Sequence, residues 1–171
     1  MRLECRQLNY SYPGSSKPVI ENLSFAMEGA GFNAVFGPSG VGKTSLARLI
    51  AGPGDAFRHE VAVRNIATIL YSYNQERLPG WSAVGGHLDR VTPDGRHELK
   101  QELVRIFELE DLLVSRFAEL SMGQQNRINL IRYLLQDFDL MIMDESLANV
   151  DEKLRHEILM SVKALFPDRM F

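Results

Sequence analysis

A single cysteine, Cys5, is all that the 171 residues contain. No intrachain disulfide can form, and the composition suits a reducing compartment. Long apolar runs are missing too: none approaches the roughly 20 residues needed to span a bilayer. Membrane insertion by this chain is therefore not expected, and a membrane role would run through a partner. The opening MRLECRQLNY is too polar for a signal peptide. There is no basic block either. Lys and Arg number 19 against 22 Asp and Glu, for a net charge of -3, which argues against nucleic acid held by charge alone. Internal repeats and low-complexity segments are also lacking. What is present, 45% hydrophobic and 24% charged residues, is the balance of one globular domain long enough to bury a core.

The order of patterns predicts an α/β chain. LECRQLNYSY (3–12) alternates, with Leu8, Tyr10 and Tyr12 on one face, and VIENLSFAM (19–27) alternates again. The Pro/Gly/Ser loop between them predicts a small N-terminal antiparallel hairpin. FNAVF (32–36) reads as a short buried strand. TSLARLIAG follows as a helix stopped by Gly52-Pro53, and ATILYSY (67–73) reads as another strand. From 76 to about 118 the chain is turn-rich and then amphipathic, in HELKQELVRIFELEDLL, which predicts a helical insertion. A helix from Ser121 to about Leu135 carries Ile128, Ile131, Leu134 and Leu135 on one stripe; LMIMDE (140–145) is a buried strand, and a last helix covers roughly 151–165. Strands alternating with helices imply a largely parallel sheet flanked by helices.

Between the predicted strand 32–36 and the helix after it lies GPSGVGKTS, Gly37–Ser45, which fits G-x-x-x-x-G-K-[ST]. Gly37, Pro38, Ser39, Gly40, Val41 and Gly42 would wrap backbone N–H groups around phosphate oxygens, which a Cβ at the glycines would obstruct. The helix adds the positive end of its dipole. Lys43 reaches the β- and γ-phosphates, and the Thr44 hydroxyl is a Mg²⁺ ligand, with Ser45 beside it. Asp144 and Glu145 then sit at the C-terminal end of an apolar strand, where an open α/β sheet binds ligands. Asp144 is the candidate to hold Mg²⁺ through water; Glu145 is the candidate general base toward the attacking water. Gln75, ending the strand ILYSY, offers a neutral amide to both Mg²⁺ and that water.

ELSMGQQNR, Glu119–Arg127, contains S-x-x-Q, a capping box in which Ser121 caps a helix and Gln124 reaches back. Gly123 in the first turn costs about 1 kcal/mol against alanine, which makes sense if something must come close to the backbone. An exposed helix start with a serine and a bare glycine is an anion site. Since the chain already has its phosphate loop, this second site would serve another molecule's nucleotide.

GPSGVGKTS, LSMGQQNR and LMIMDE, in this order with Gln75 between the first two, resemble the ATP-binding cassette family over nearly the whole chain. The resemblance implies a P-loop NTPase fold and a single nucleotide-binding domain over residues 1–171 with a helical insertion at about 76–118. It implies ATP and Mg²⁺ as cofactors, ATP hydrolysis, and a two-fold homodimer that sandwiches two ATP molecules. In that arrangement Ser121, Gly123 and Gln124 of one subunit face the γ-phosphate held by the other. Tyr12 matches the aromatic that stacks on adenine, with Tyr10 as the runner-up or a core residue. Asp151 matches the aspartate of the loop that crosses the dimer interface. The insertion resembles the region that docks on a transmembrane permease, which implies a cytoplasmic place on the inner face of the membrane. QERLPGW is similar to the matching stretch in importers of nitrate, sulfonates and taurine.

Four departures from the family pattern are visible. Met122 stands where glycine is usual. Ser146 replaces a proline, a change expected to alter little chemically. The stretch from Gly52 to Tyr71 is short. The γ-phosphate-contacting histidine that follows a further strand has no counterpart, because LFPDRMF stops where that strand would begin. His59, His87, His97 and His156 are expected to be surface residues instead. A C-terminally incomplete domain is therefore expected, binding ATP but turning it over slowly, since a lost γ-phosphate contact costs about 3–4 kcal/mol in the transition state. Two other functions fit the same residues: a soluble cassette ATPase acting on a non-transport assembly, and a nucleotide-binding module with little hydrolysis.

Overall fold

The computed structural model describes residues 1–52, 60–74, 76 and 78–171. Gln75 and His59 lie outside the described residues. The chain forms two compact units, Met1–Tyr71 with Phe138–Ile142 and Pro167–Phe171, and Ser72–Asp137 with Met143–Phe166.

In the first unit, β1 (Arg2–Tyr10), β2 (Ile20–Glu28) and β3 (Val61–Arg64) form an antiparallel sheet in the order β2-β1-β3. The hairpin is the one that the alternation predicts, but its phase changes midway. Leu3, Cys5 and Leu8 are all buried, although strict alternation cannot put positions 5 and 8 on one face. Gln7 at φ 48 and a register shift between Cys5 and Leu8 mark the bulge that turns the later residues over. Leu46, from α1 (Lys43–Ala51), closes a core cluster with Cys5, Leu8 and Ile20, against which Tyr10 packs partly buried.

The strand expected at 32–36 does not form. Gly31 bridges to Met170, and the Asn33 N–H donates to the Phe171 carbonyl at 2.7 Å, but no strand is assigned beyond. Val35 and Phe36 are 49% and 91% exposed. An apolar run becomes a strand only where a neighbour takes its N–H and C=O groups. Here that neighbour is Arg169–Phe171, whose bonds among the described residues reach Gly31 and Asn33. What does pair is well knit: Met170 also bridges to Leu140, and Phe171 stacks on Phe32 with centroids 4.6 Å apart.

β4 (Ile69–Tyr73) pairs with β5 (Leu140–Asp144). The bonds run from the Leu140 N–H to Thr68 O at one end to the Asn74 N–H to Asp144 O at the other, so the pair is parallel. Asp139 staples its start: one carboxylate oxygen accepts the Ala67 and Thr68 N–H groups, and the other meets Arg169 at 3.0 Å. Those two N–H bonds hold the Asp139 carboxyl below the usual carboxylate range, with Arg169 adding to the effect.

The second unit is mostly helical. α2 (Val84–Val91) and α3 (His97–Ile106) lie in the predicted insertion, followed by α4 (Met122–Leu134) and α5 (Glu152–Leu165). α4 packs against α2 and α3 with Ile128, Ile131 and Leu134 buried, and Leu135 just beyond them, as the stripe predicts. The amphipathic run after His97 is not one helix. It breaks where Glu108 adopts φ 51, and a short 3-10 turn at Glu110–Leu112 follows.

His87 is not the surface residue expected. Its Nε2 is buried without a hydrogen-bond partner among the described residues, and its ring meets Phe117 edge-on at 5.2 Å. Burial, then the charges of Arg132 and Arg90, push its pKa below the ordinary histidine value. As pH falls below about 6.5 the unfolded chain binds a proton that folded His87 refuses, so stability falls until the lower folded pKa is passed. Thermal melting from pH 7 to 5 should show a decline that His87→Leu makes shallower; an equal slope in the variant refutes this.

Candidate functional site

In the first unit, the phosphate loop is an exposed ribbon from Gly37 to Val41 leading into α1. Gly40 and Gly42 stand at φ 80 and 102, where L-residues are strained, and Gly42 is also the N-cap of α1. A Cβ on Gly42 would press on the Val19 carbonyl oxygen at 3.1 Å, so both φ and space demand glycine. The Lys43 ammonium folds back onto the Gly37 and Pro38 carbonyls at 2.9 and 3.0 Å. An exposed glycine-rich loop at a helix start, with a lysine held among the described residues on neutral carbonyl oxygens, suits a polyphosphate. Thr44 is exposed at the same helix start, whereas Ser45 is buried and its hydroxyl hydrogen-bonds the Tyr12 hydroxyl at 2.7 Å. That bond places Tyr12 beside α1 with its side chain 44% exposed, and Tyr10 meets it edge-on at 5.2 Å. Tyr12 offers an aromatic surface there; Tyr10 packs partly buried against the core cluster.

In the second unit, Asp144 ends β5 and Glu145 follows at φ 56, a left-handed position that costs a non-glycine residue about 1–2 kcal/mol. Glu145 begins a tight turn whose carbonyl accepts the Ala148 N–H at 3.0 Å. Ser146 does more than the expected small change suggests. It is buried, it donates to the Ser72 carbonyl at 3.1 Å, and it lies 3.0 Å from the Ser72 hydroxyl, fixing the turn to the end of β4. A proline could make neither bond. Among the described residues no three His, Cys, Asp or Glu side chains group as a metal site. A divalent ion fits here only with phosphate oxygens completing its shell, the usual arrangement for Mg²⁺.

The helix start at Ser121 is the capping box read from sequence. The Ser121 hydroxyl accepts the Gln124 N–H at 3.3 Å, and Gln124 Oε1 accepts the Ser121 N–H at 2.8 Å. Ser121 and Met122 are exposed, so the serine edge is open to solvent. Gly123 has a reason the sequence did not disclose. A Cβ there would lie 2.5 Å from the Asn149 carbonyl oxygen, so the chain's own loop fills the space opened by the missing side chain. Asp151, at the end of that loop, caps α5 by accepting the Leu154 N–H at 2.9 Å.

A polar group on α4 was missed. Asn126 and Asn129 are 5% and 3% exposed, and their amides donate to Asn74 Oδ1 at 2.7 Å and Glu76 Oε2 at 2.8 Å. Tyr133 and Arg132 also donate to Glu76, at 2.8 and 3.3 Å. The available signal was two asparagines beside a buried helical stripe, where side-chain amides are unfavourable unless paired.

The family model for ABC transporters matches residues 20–148. The chain belongs to the ABC transporter family. Among curated proteins, it is 31% identical to the spermidine/putrescine import ATP-binding protein of Pasteurella multocida, over 95% of this chain and 48% of that one. It is 29% identical to the taurine import ATP-binding protein of Pseudomonas fluorescens, over 91% of this chain and 64% of that one. This ABC chain thus spans about half the length of the first relative and under two thirds of the second. Solved structures agree on the fold. A putative ABC transporter ATP-binding protein from Pyrococcus furiosus superposes with a TM-score of 0.75 at 24% identity, covering 95% of this chain and 84% of that one. An ATP-binding subunit of an ABC transporter gives 0.77 at 22%, covering 96% and 76%. The α/β P-loop fold expected from sequence is therefore the fold of this ABC family member.

Proposed function

We propose that this ABC family chain binds ATP with Mg²⁺ and hydrolyses it as one half of a head-to-tail homodimer that drives an import permease from the inner face of the membrane. The observation that carries the reading is the exposed Gly37–Val41 loop with Lys43 folded on its carbonyls at the start of α1. The relatives are import ATP-binding proteins by name, which supports the transport part.

In this proposal the loop N–H groups and Lys43 hold the β- and γ-phosphates, while Tyr12 offers its ring to the adenine. Thr44, Gln75 and Asp144 would be the residues that hold Mg²⁺, which would supply positive charge against the phosphates. Glu145 takes the proton of the attacking water. The exposed capping-box edge at Ser121, with Gly123 and Gln124, faces the triphosphate bound by the second copy. Trp81 and Val114, 83% and 88% exposed in the helical unit, are apolar surface suited to a protein partner.

Titration calorimetry with ATP tests the first step. Removing one charge-assisted contact, Lys43→Ala should weaken binding about 10- to 100-fold. A wild-type chain that ignores ATP, or a Lys43→Ala chain that binds as tightly, defeats the reading.

A further inference from the structure

One face of α1 lies against the N-terminal hairpin. Ser45 and Leu49 are four positions apart and Leu46 and Leu49 three, so the three share that face. Leu46 packs with Cys5, Leu8 and Ile20, and Leu49 lies partly buried beside them. Ser45 is the polar exception in this stripe. It is buried, at a position where alanine would suit the helix better. A hydroxyl buried there needs a partner. A serine inside a helix commonly turns back on the carbonyl four residues earlier. This one is bonded instead to the Tyr12 hydroxyl, at 2.7 Å and 33 positions away.

Lys43 stands two positions before Ser45, and residues so spaced do not face each other. Its ammonium lies on the Gly37 and Pro38 carbonyls. The first turn of α1 therefore holds the lysine toward the loop and Tyr12 toward the hairpin, with about 3 Å of helix rise between the two attachments. The end of the hairpin is gripped again at Gly42, where the Val19 carbonyl comes close, and the Val19 N–H donates to the Tyr10 carbonyl at 2.7 Å. Tyr10 in turn meets the Tyr12 ring edge-on at an interplanar angle of 73°. A ring held at its hydroxyl and by an aromatic neighbour offers its open surface in one orientation.

We propose that Ser45 is a positioning residue which, through the Tyr12 hydroxyl, sets the Tyr12 ring at a fixed span from the phosphate loop, so that the site favours a triphosphate carrying a base over a bare chain of phosphates. This rests on the ATP-binding reading given above. Ser45 touches neither base nor phosphate in it. Its bond orders the ring before the nucleotide arrives, and so removes an ordering cost from binding.

Titration calorimetry on the full chain, with Mg-ATP and with inorganic tripolyphosphate, separates positioning from a general structural part. Ser45→Ala should weaken ATP binding about three- to tenfold, the range expected when a side chain must be ordered on binding, while tripolyphosphate affinity moves less than about twofold. Alanine suits the helix, and Tyr12 is exposed enough for water to replace the serine, so the variant should fold as the wild type does. Tyr12→Ala, which removes the ring itself, should weaken ATP about tenfold or more, the loss of a base–aromatic stack. If both ligands weaken alike in Ser45→Ala, the serine acts on the phosphates or on the helix itself; if neither weakens, the tether contributes nothing to binding. Either result overturns the proposal.

Relaxation of the aromatic ring carbons, measured by NMR without nucleotide, gives an arm independent of ATP. The Tyr12 ring should be ordered in the wild type and more mobile in Ser45→Ala, with the Tyr10 ring changing less. A Tyr12 ring equally mobile in both chains overturns the tether, whatever the titrations show. Failure of the ATP-binding reading shows separately, as a wild-type chain that binds neither ligand.

Discussion

Glu145→Gln should lower ATP turnover about 100- to 10,000-fold, the range lost with a general base, while leaving ATP binding intact. The isosteric amide keeps the shape of the turn and cannot take a proton. With hydrolysis stopped, Mg-ATP should hold two copies together, and sedimentation velocity should show a dimer that the wild-type chain forms only transiently. Wild-type turnover in the variant removes the general-base role. A variant that stays monomeric in Mg-ATP removes the main support for the sandwiched pair.

The backbone adds a second readout at the same position. Glu145 sits at φ 56, in a region that glycine occupies freely. Glu145→Gly relieves about 1–2 kcal/mol of strain, part of it offset by glycine's greater freedom when unfolded. Its melting temperature should therefore not drop, although turnover should stop. Strain kept at a carboxylate, where a relaxed residue would be easier to fold, is expected of a group held for chemistry.

The second large effect is expected at Gly123. Gly123→Ala places a methyl group 2.5 Å from the Asn149 carbonyl oxygen, a backbone atom that moves only with its loop. Overpacking of this kind costs about 1–3 kcal/mol, and it is read as a fall in melting temperature without any nucleotide. The displaced loop also carries Asp151, so ATP-driven dimerisation should weaken in the same variant. Met122→Gly next door, at a half-exposed side chain, should shift the melting temperature far less. If Gly123→Ala melts like the wild type, the close approach is not tight and the glycine serves another purpose.

What the sequence disclosed follows the range of the interaction involved. The helix after the glycine-rich loop, the capping box at Ser121 and the buried stripe of α4 depend on residues within a few positions of one another, and all three form as read. The FNAVF segment was misread because a strand needs a neighbour, and its neighbour is some 138 residues away at Phe171. The phase change in β1 was hidden because nothing in LECRQLNY announces that Gln7 takes a positive φ. Gly123 was read correctly as a place of close approach, but the visitor is Asn149 of the same chain. Glu76 had no local pattern; only the fold brings it to Asn129, Arg132 and Tyr133.

The pairing of Arg169–Phe171 has a practical consequence. These three residues accept from Gly31, Asn33 and Met141 and donate to Asp139 and Gly31, while the Phe171 ring covers Phe32. They work as a zipper pull joining two stretches of chain more than a hundred positions apart. Losing the bonds that Arg169–Phe171 make would unfasten the segment leading to Lys43.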